Sequence, residues 1–425
     1  MRLGQARNLL VLPMLATALM AAPAAQARKE KEKDSGVVMS DTFRTQARSA
    51  RGAITSGDIN GANAAIAGLV PSNDVEKYVV GSLRMELASR RGDPQAQRRA
   101  LTDILESKAA PEKDVPYLRF LAGYYSYFLG EFDDAIAQVN YARQLGYTGI
   151  DSTMLLADAT LKKGRRAEGM KIVDQAFEQQ RASGKPVPAP WFDKAAAFSY
   201  QLGSWPDVTR WYQQKLALYP SAGNWRSALA NTLANAALDQ QVKLDLYRLQ
   251  AANGAMASER DYQAYAVLAA GAGYNAEAKA VIESGRADGA LTPTETVTAA
   301  LFKTASPKAV KEMAALPAQA AKAAKAANGT AALEAADGYF SLGQYPKAVE
   351  QYRLALSKGG VDADRTNNRL GIALARSGDL AGARAALAEV KGGQWADVSR
   401  FWAVWVDQQA QKSASVSPVA APPQS

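Results

Sequence analysis

Between residues 41 and 410, apolar positions recur three and four apart in short blocks, and each block ends at a polar break that usually carries glycine. That spacing places the apolar side chains on one face of a helix. Breaks this frequent predict helical hairpins rather than long single helices. β-branched runs are rare, and alanine, leucine, glutamine, lysine and arginine dominate, which favours helix throughout. The expected fold class is all-α.

The breaks repeat one phrase. It is clearest at Leu129-Gly-Glu-Phe-Asp-Asp-Ala135, Leu202-Gly-Ser-Trp-Pro-Asp-Val208, Leu342-Gly-Gln-Tyr-Pro-Lys-Ala348 and Ser377-Gly-Asp-Leu-Ala-Gly-Ala383, and it recurs at Gly57-Asp-Ile59 with Ala62. Glycine ends the first helix in the left-handed conformation without a Cβ penalty. The bulky residue two positions on packs back over the turn, and the small residue after it lets the second helix approach closely. Gly57 to Gly92 and Gly343 to Gly378 are 35 residues apart, and Gly130 to Gly164 is 34. Gly203 to Gly273 and Gly273 to Gly343 are 70 each, so each interval should hide a degenerate repeat. One covers Trp225 to Leu249. The other uses Ser306-Pro-Lys-Ala-Val310, which echoes Tyr345-Pro-Lys-Ala-Val349. Lys185-Pro-Val-Pro-Ala-Pro190 lengthens the step from Gly164 to Gly203 to 39 residues.

A period near 35 marks an array of stacked units, none of which buries its apolar face alone. The phrase and period resemble the tetratricopeptide repeat (TPR) family, most closely at 118–142, 195–220, 332–356 and 370–390. Gly123, Ala196, Ala336 and Gly371 stand at its small position. Val139, Tyr212, Tyr352 and Leu387 stand at the matching position of the second helix. The resemblance implies a right-handed superhelical solenoid of about ten repeats. It also implies a curved groove that holds a peptide or helix of another protein.

The ends read differently. Residues 1–27 have the form of a secretory signal, with Arg2 and Arg7, an apolar run from Leu9 to Ala22, and an Ala25-Gln-Ala27 cleavage site. Residues 28–40 begin with the alternating charges of a solvated leader, residues 41–410 hold the repeats, and residues 411–425 form a Ser/Ala/Pro-rich tail expected to be disordered. The expected location is the periplasm of a Gram-negative bacterium.

Composition narrows the chemistry. The 425 residues include no cysteine and no histidine, which removes thiolates, disulfides and the commonest general base and metal ligand. There is no glycine-rich phosphate loop and no nucleophile elbow. Asp133-Asp134 reads as helix N-terminal charge. Asp151 and Asp158 would join Asp337 only if the coil aligned them. No catalytic, cofactor or metal site is therefore expected, and the chain reads as a non-enzymatic scaffold. The net charge of +9, or +7 without residues 1–27, is diffuse, so nucleic acid is not an expected partner.

The expected partner is a protein or peptide of the cell envelope, in polysaccharide export or outer-membrane assembly. Direct binding of glycan or peptidoglycan by groove aromatics is the alternative, with peripheral contact to the outer membrane. Tyr117, Phe120, Tyr124 and Tyr127 are spaced three, four and three, so they share a face that the repeat pattern directs into the groove. They either anchor the partner, flanked by Arg90, or are covered by neighbouring repeats. Trp205, Trp211, Trp225, Trp395, Trp402 and Trp405 read as packing residues, with Phe401, Trp402 and Trp405 capping the array.

Overall fold

A computed structural model describes residues 39–416 of the chain. The signal segment, most of the leader and the last nine residues lie outside the described residues. Twenty helices and no strand are present among the described residues, and the chain divides into two compact units between Val187 and Pro188. No described helix is long and apolar enough to cross a membrane.

The first unit is four hairpins: α1 (Asp41–Ser56) with α2 (Ile59–Ala67), α3 (Asp74–Arg91) with α4 (Pro94–Glu106), α5 (Val115–Phe128) with α6 (Phe132–Gln144), and α7 (Ile150–Lys162) with α8 (Arg166–Ala182). The glycines that mark the period, Gly57, Gly92, Gly130, Gly164, Gly203, Gly273, Gly343 and Gly378, all have φ between 62° and 93°. At Gly130 the turn closes as expected: its N–H donates to the Tyr127 carbonyl and the Glu131 N–H to that of Ser126. Ala135 follows, fully buried. The small position is equally strict. A Cβ on Gly123 would lie 2.6 Å from Val139 Cγ2, and one on Gly371 would lie 2.6 Å from Leu387 Cγ. In these two hairpins the residues that carry the tetratricopeptide resemblance thus pack against one another.

The unit begins earlier than the pattern suggested. Met39 is buried and the Ser40 side chain caps α1, so the last two residues of the expected leader belong to the fold.

The second unit contains α9 (Ala189–Gln201) with α10 (Trp205–Leu218), α11 (Ala222–Leu233) with α12 (Gln240–Ala252), and α13 (Glu259–Gly271) with α14 (Asn275–Ala287). Then come α15 (Thr296–Lys325), α16 (Thr330–Ser341) with α17 (Tyr345–Lys358), α18 (Ala363–Arg376) with α19 (Leu380–Ala388), and α20 (Gly393–Val416). The degenerate repeat at 225–249 is present as α11 and α12. The one expected at Ser306 is not a hairpin. α15 runs unbroken for 30 residues through Pro307 and Pro317. No glycine precedes Pro307 to release the backbone, and alanine and lysine on both sides favour helix strongly enough to carry the proline.

α20 also departs from expectation. It extends to Val416, past the boundary expected at 410, so the first residues of the supposed disordered tail are helical. Its aromatics are packing residues, as read: Phe401, Trp402 and Trp405 are buried. They do more than cover the last hairpin, because α20 also reaches α10, α11 and α12. Gln394 bonds backbone groups of Ala237 and Asp239, Gln408 donates to the Leu216 carbonyl and accepts from Trp225 Nε1, and Gln213 donates to the Asp397 carbonyl. The second unit is closed by its own last helix.

Candidate binding surfaces

In the first unit, the first helices of successive hairpins carry a field of tyrosines. Tyr78 on α3, Tyr117 and Tyr124 on α5, and Tyr147 before α7 are half-buried against one apolar cluster that includes Leu118, Leu121 and Tyr125. The rings support one another. Tyr147 stacks on Phe120 with centroids 4.7 Å apart and lies 5.8 Å from Tyr117. Tyr124 meets Tyr125 edge to face at 5.4 Å. Two hydroxyls are fixed by carboxylates of α7: Tyr127 donates to Asp158 and Tyr147 to Asp151, each at 2.7 Å. Burial first, then the facing carboxylate, raises both phenols above their ordinary range. They therefore remain neutral donors at physiological pH. The hydroxyls of Tyr117 and Tyr124 have no hydrogen-bond partner among the described residues.

The five residues expected to form the site separate into three groups. Tyr117, Tyr124 and Tyr127 share a half-exposed face of α5, as the spacing implied. Phe120 does not stay on the surface: it is 8 % exposed, covered by Tyr147 from the connection after α6. A phenylalanine has no polar tip to keep wet, so a ring arriving from the next connection covers nearly all of it. Arg90 is exposed in the last turn of α3, where its charge suits the helix C-terminus. No hydrogen bond or ion pair joins it to the tyrosines among the described residues. Tyr147 was missed because it follows a helix C-terminus outside the repeat phrase.

The second unit holds a buried polar network that periodicity did not reveal. Arg369 on α18 is fully buried, 2.8 Å from Asp337 Oδ2 on α16 and 3.3 Å from Asp245 Oδ2 on α12. Its Nη2 donates to Gln241 at 2.6 Å. Arg248 forks onto Glu277 of α14 through two bonds of 2.6–2.7 Å, and Tyr265 donates to the same carboxylate at 2.8 Å. Tyr274 and Tyr352 both donate to Asp337, and Arg365 pairs with it. Burial pushes the Asp337 carboxyl up, but Arg369 and Arg365 outweigh it and hold the group below its usual range. Three carboxylates and three guanidiniums thus balance inside the unit. The available signal was α12 itself. Val242, Leu244, Leu246 and Leu249 form a wide apolar arc on that helix, and Asp245 and Arg248 fall inside it.

No protein-family model matches the chain, and no curated protein is similar to it in sequence. Among solved structures, a tetratricopeptide repeat protein from Parabacteroides merdae is 12% identical, with a TM-score of 0.34 over 70% of this chain and 99% of that one. PilW, a type IV pilus biogenesis factor, is 15% identical, with a TM-score of 0.33 over 52% of this chain and 96% of its own. The TPR2AB domain of yeast Sti1, in complex with pHSP90, is 16% identical, with a TM-score of 0.27 over 71% and 99%. At such scores the repeat assignment rests on this chain's own hairpins: the period near 35, the left-handed glycines and the interlocked small positions.

Proposed function

We propose that this tetratricopeptide-like repeat protein is a non-catalytic scaffold that holds a protein or peptide partner against the tyrosine field of its first unit. The observation that carries the reading is the pair of free hydroxyls on Tyr117 and Tyr124, on rings held in place by Tyr147, Phe120 and Tyr125. Such rings offer apolar area and a donor with little rotamer freedom left to lose on binding. The second unit offers less groove, because α18 and α20 occupy the space beside α12. We place the protein in the periplasm on the strength of the signal-like segment, with a mature N-terminus at Arg28.

Two experiments address this. N-terminal sequencing of the protein released by osmotic shock should begin at Arg28; a sequence beginning at Met1 in the membrane fraction refutes export. For binding, Tyr124→Ala should reduce partner recovery at least tenfold, since central aromatic anchors cost about 2 kcal/mol or more when truncated. The melting temperature should move by only a few degrees, because the ring is half-exposed. Unchanged recovery removes the tyrosine field from the account.

A further inference from the structure

A separate cavity of about 570 Å³ opens in the second unit, walled by residues of α12 to α18 and of α20. That size lies within the roughly 300–1,000 Å³ range of small-molecule sites. Its walls are mainly apolar. Phe340 and Val281 form inner surfaces, while Val310 and Met313 line it and remain 62 % and 50 % exposed. Val310 and Met313 lie three residues apart on α15, so they present one open apolar strip to the cavity. Met256 and Met313 add thioethers that adapt to ligand shape.

The charges around this cavity are almost cancelled. Arg248 is forked onto Glu277, and Lys279 is paired with Glu283 at 2.6 Å. Arg376 is the exception. It lines the cavity at the end of α18, lies over the Tyr345 ring at 5.4 Å, and has no hydrogen bond or ion pair among the described residues. One unneutralised cation thus borders an apolar hollow whose other charges are paired.

We propose that this cavity binds a small amphipathic anion, with its apolar body against Val310, Met313 and Phe340 and its acid group on Arg376. The proposal is independent of the tyrosine field, which lies in the other unit.

Calorimetric titration of the full chain with dodecanoate, dodecan-1-ol and dodecylamine tests it. Dodecanoate should bind one to one, and at least tenfold more tightly than dodecylamine. Arg376→Gln should weaken dodecanoate about five- to tenfold, the scale of one exposed charge-assisted hydrogen bond, and leave dodecan-1-ol unchanged. Val310→Glu should weaken both, and Tyr124→Ala neither. Both cavity positions are exposed, so the helical spectrum should be preserved and a binding loss can be read as such. Absence of dodecanoate binding, equal binding of the amine, or indifference to both cavity substitutions would overturn the proposal.

Discussion

Glu76 shows how one side chain secures the entry to the array. Its carboxylate accepts from the Ser40 N–H at 2.9 Å and from the N–H and hydroxyl of Ser72, each at 2.7 Å, tying the start of α1 to the start of α3. Burial alone would raise its pKa, but these donors outweigh burial and lower it from 4.5 to about 2. A carboxyl depressed in the folded state contributes stability above its unfolded pKa and loses it as pH falls through the folded value. Glu76→Ala should therefore destabilise the first unit by about 2 kcal/mol at pH 7, the scale of lost hydrogen bonds to a charged group. The gap to the parent protein should shrink below pH 4.5 and close near pH 2. A gap independent of pH would mean that the ionised form is not the anchor. At this scale the sequence was most legible where backbone geometry dictates the residue, as at Gly130 or the tight contact of Gly123 with Val139. It was least legible at Phe120, whose burial depends on a tyrosine from another connection.

Among the elements, α12 and α20 govern the second unit. α12 is buried over most of its surface, and α20 reaches it through Trp402, whose Nε1 donates to the Asp245 carbonyl at 3.3 Å. Trp402→Ala should cost about 3–5 kcal/mol, the range for truncating a buried tryptophan. Hydrogen exchange should then accelerate in α12 and α18 and remain unchanged in α3 and α5. Full protection of α12 in this variant would show that α20 is only a terminal cover. Hairpin elements could be read from the glycine phrase because each is a local event. The return of α20 to α10, α11 and α12 could not, since contacts across more than 150 residues, such as Gln394 with Ala237, leave no trace in a period of 35. α15 misled for a related reason: Ser306-Pro-Lys-Ala repeats the words that follow a turn but not the glycine that makes one.

For the whole molecule, the two units differ in how they use the same hairpin. The first leaves tyrosines half-covered along successive first helices. The second turns Asp245, Asp337 and Arg369 inward into a polar network of its own. Binding by the first unit is the central claim, and site-specific photo-crosslinking in living cells tests it directly. A benzophenone amino acid placed at Tyr124 is compared with one at Asn140, an exposed position on the second helix of the same hairpin. The account expects one dominant adduct from position 124, lost when Tyr117 and Tyr127 are also changed to alanine, and none from position 140. The same adducts from both positions, or none from position 124, would contradict it.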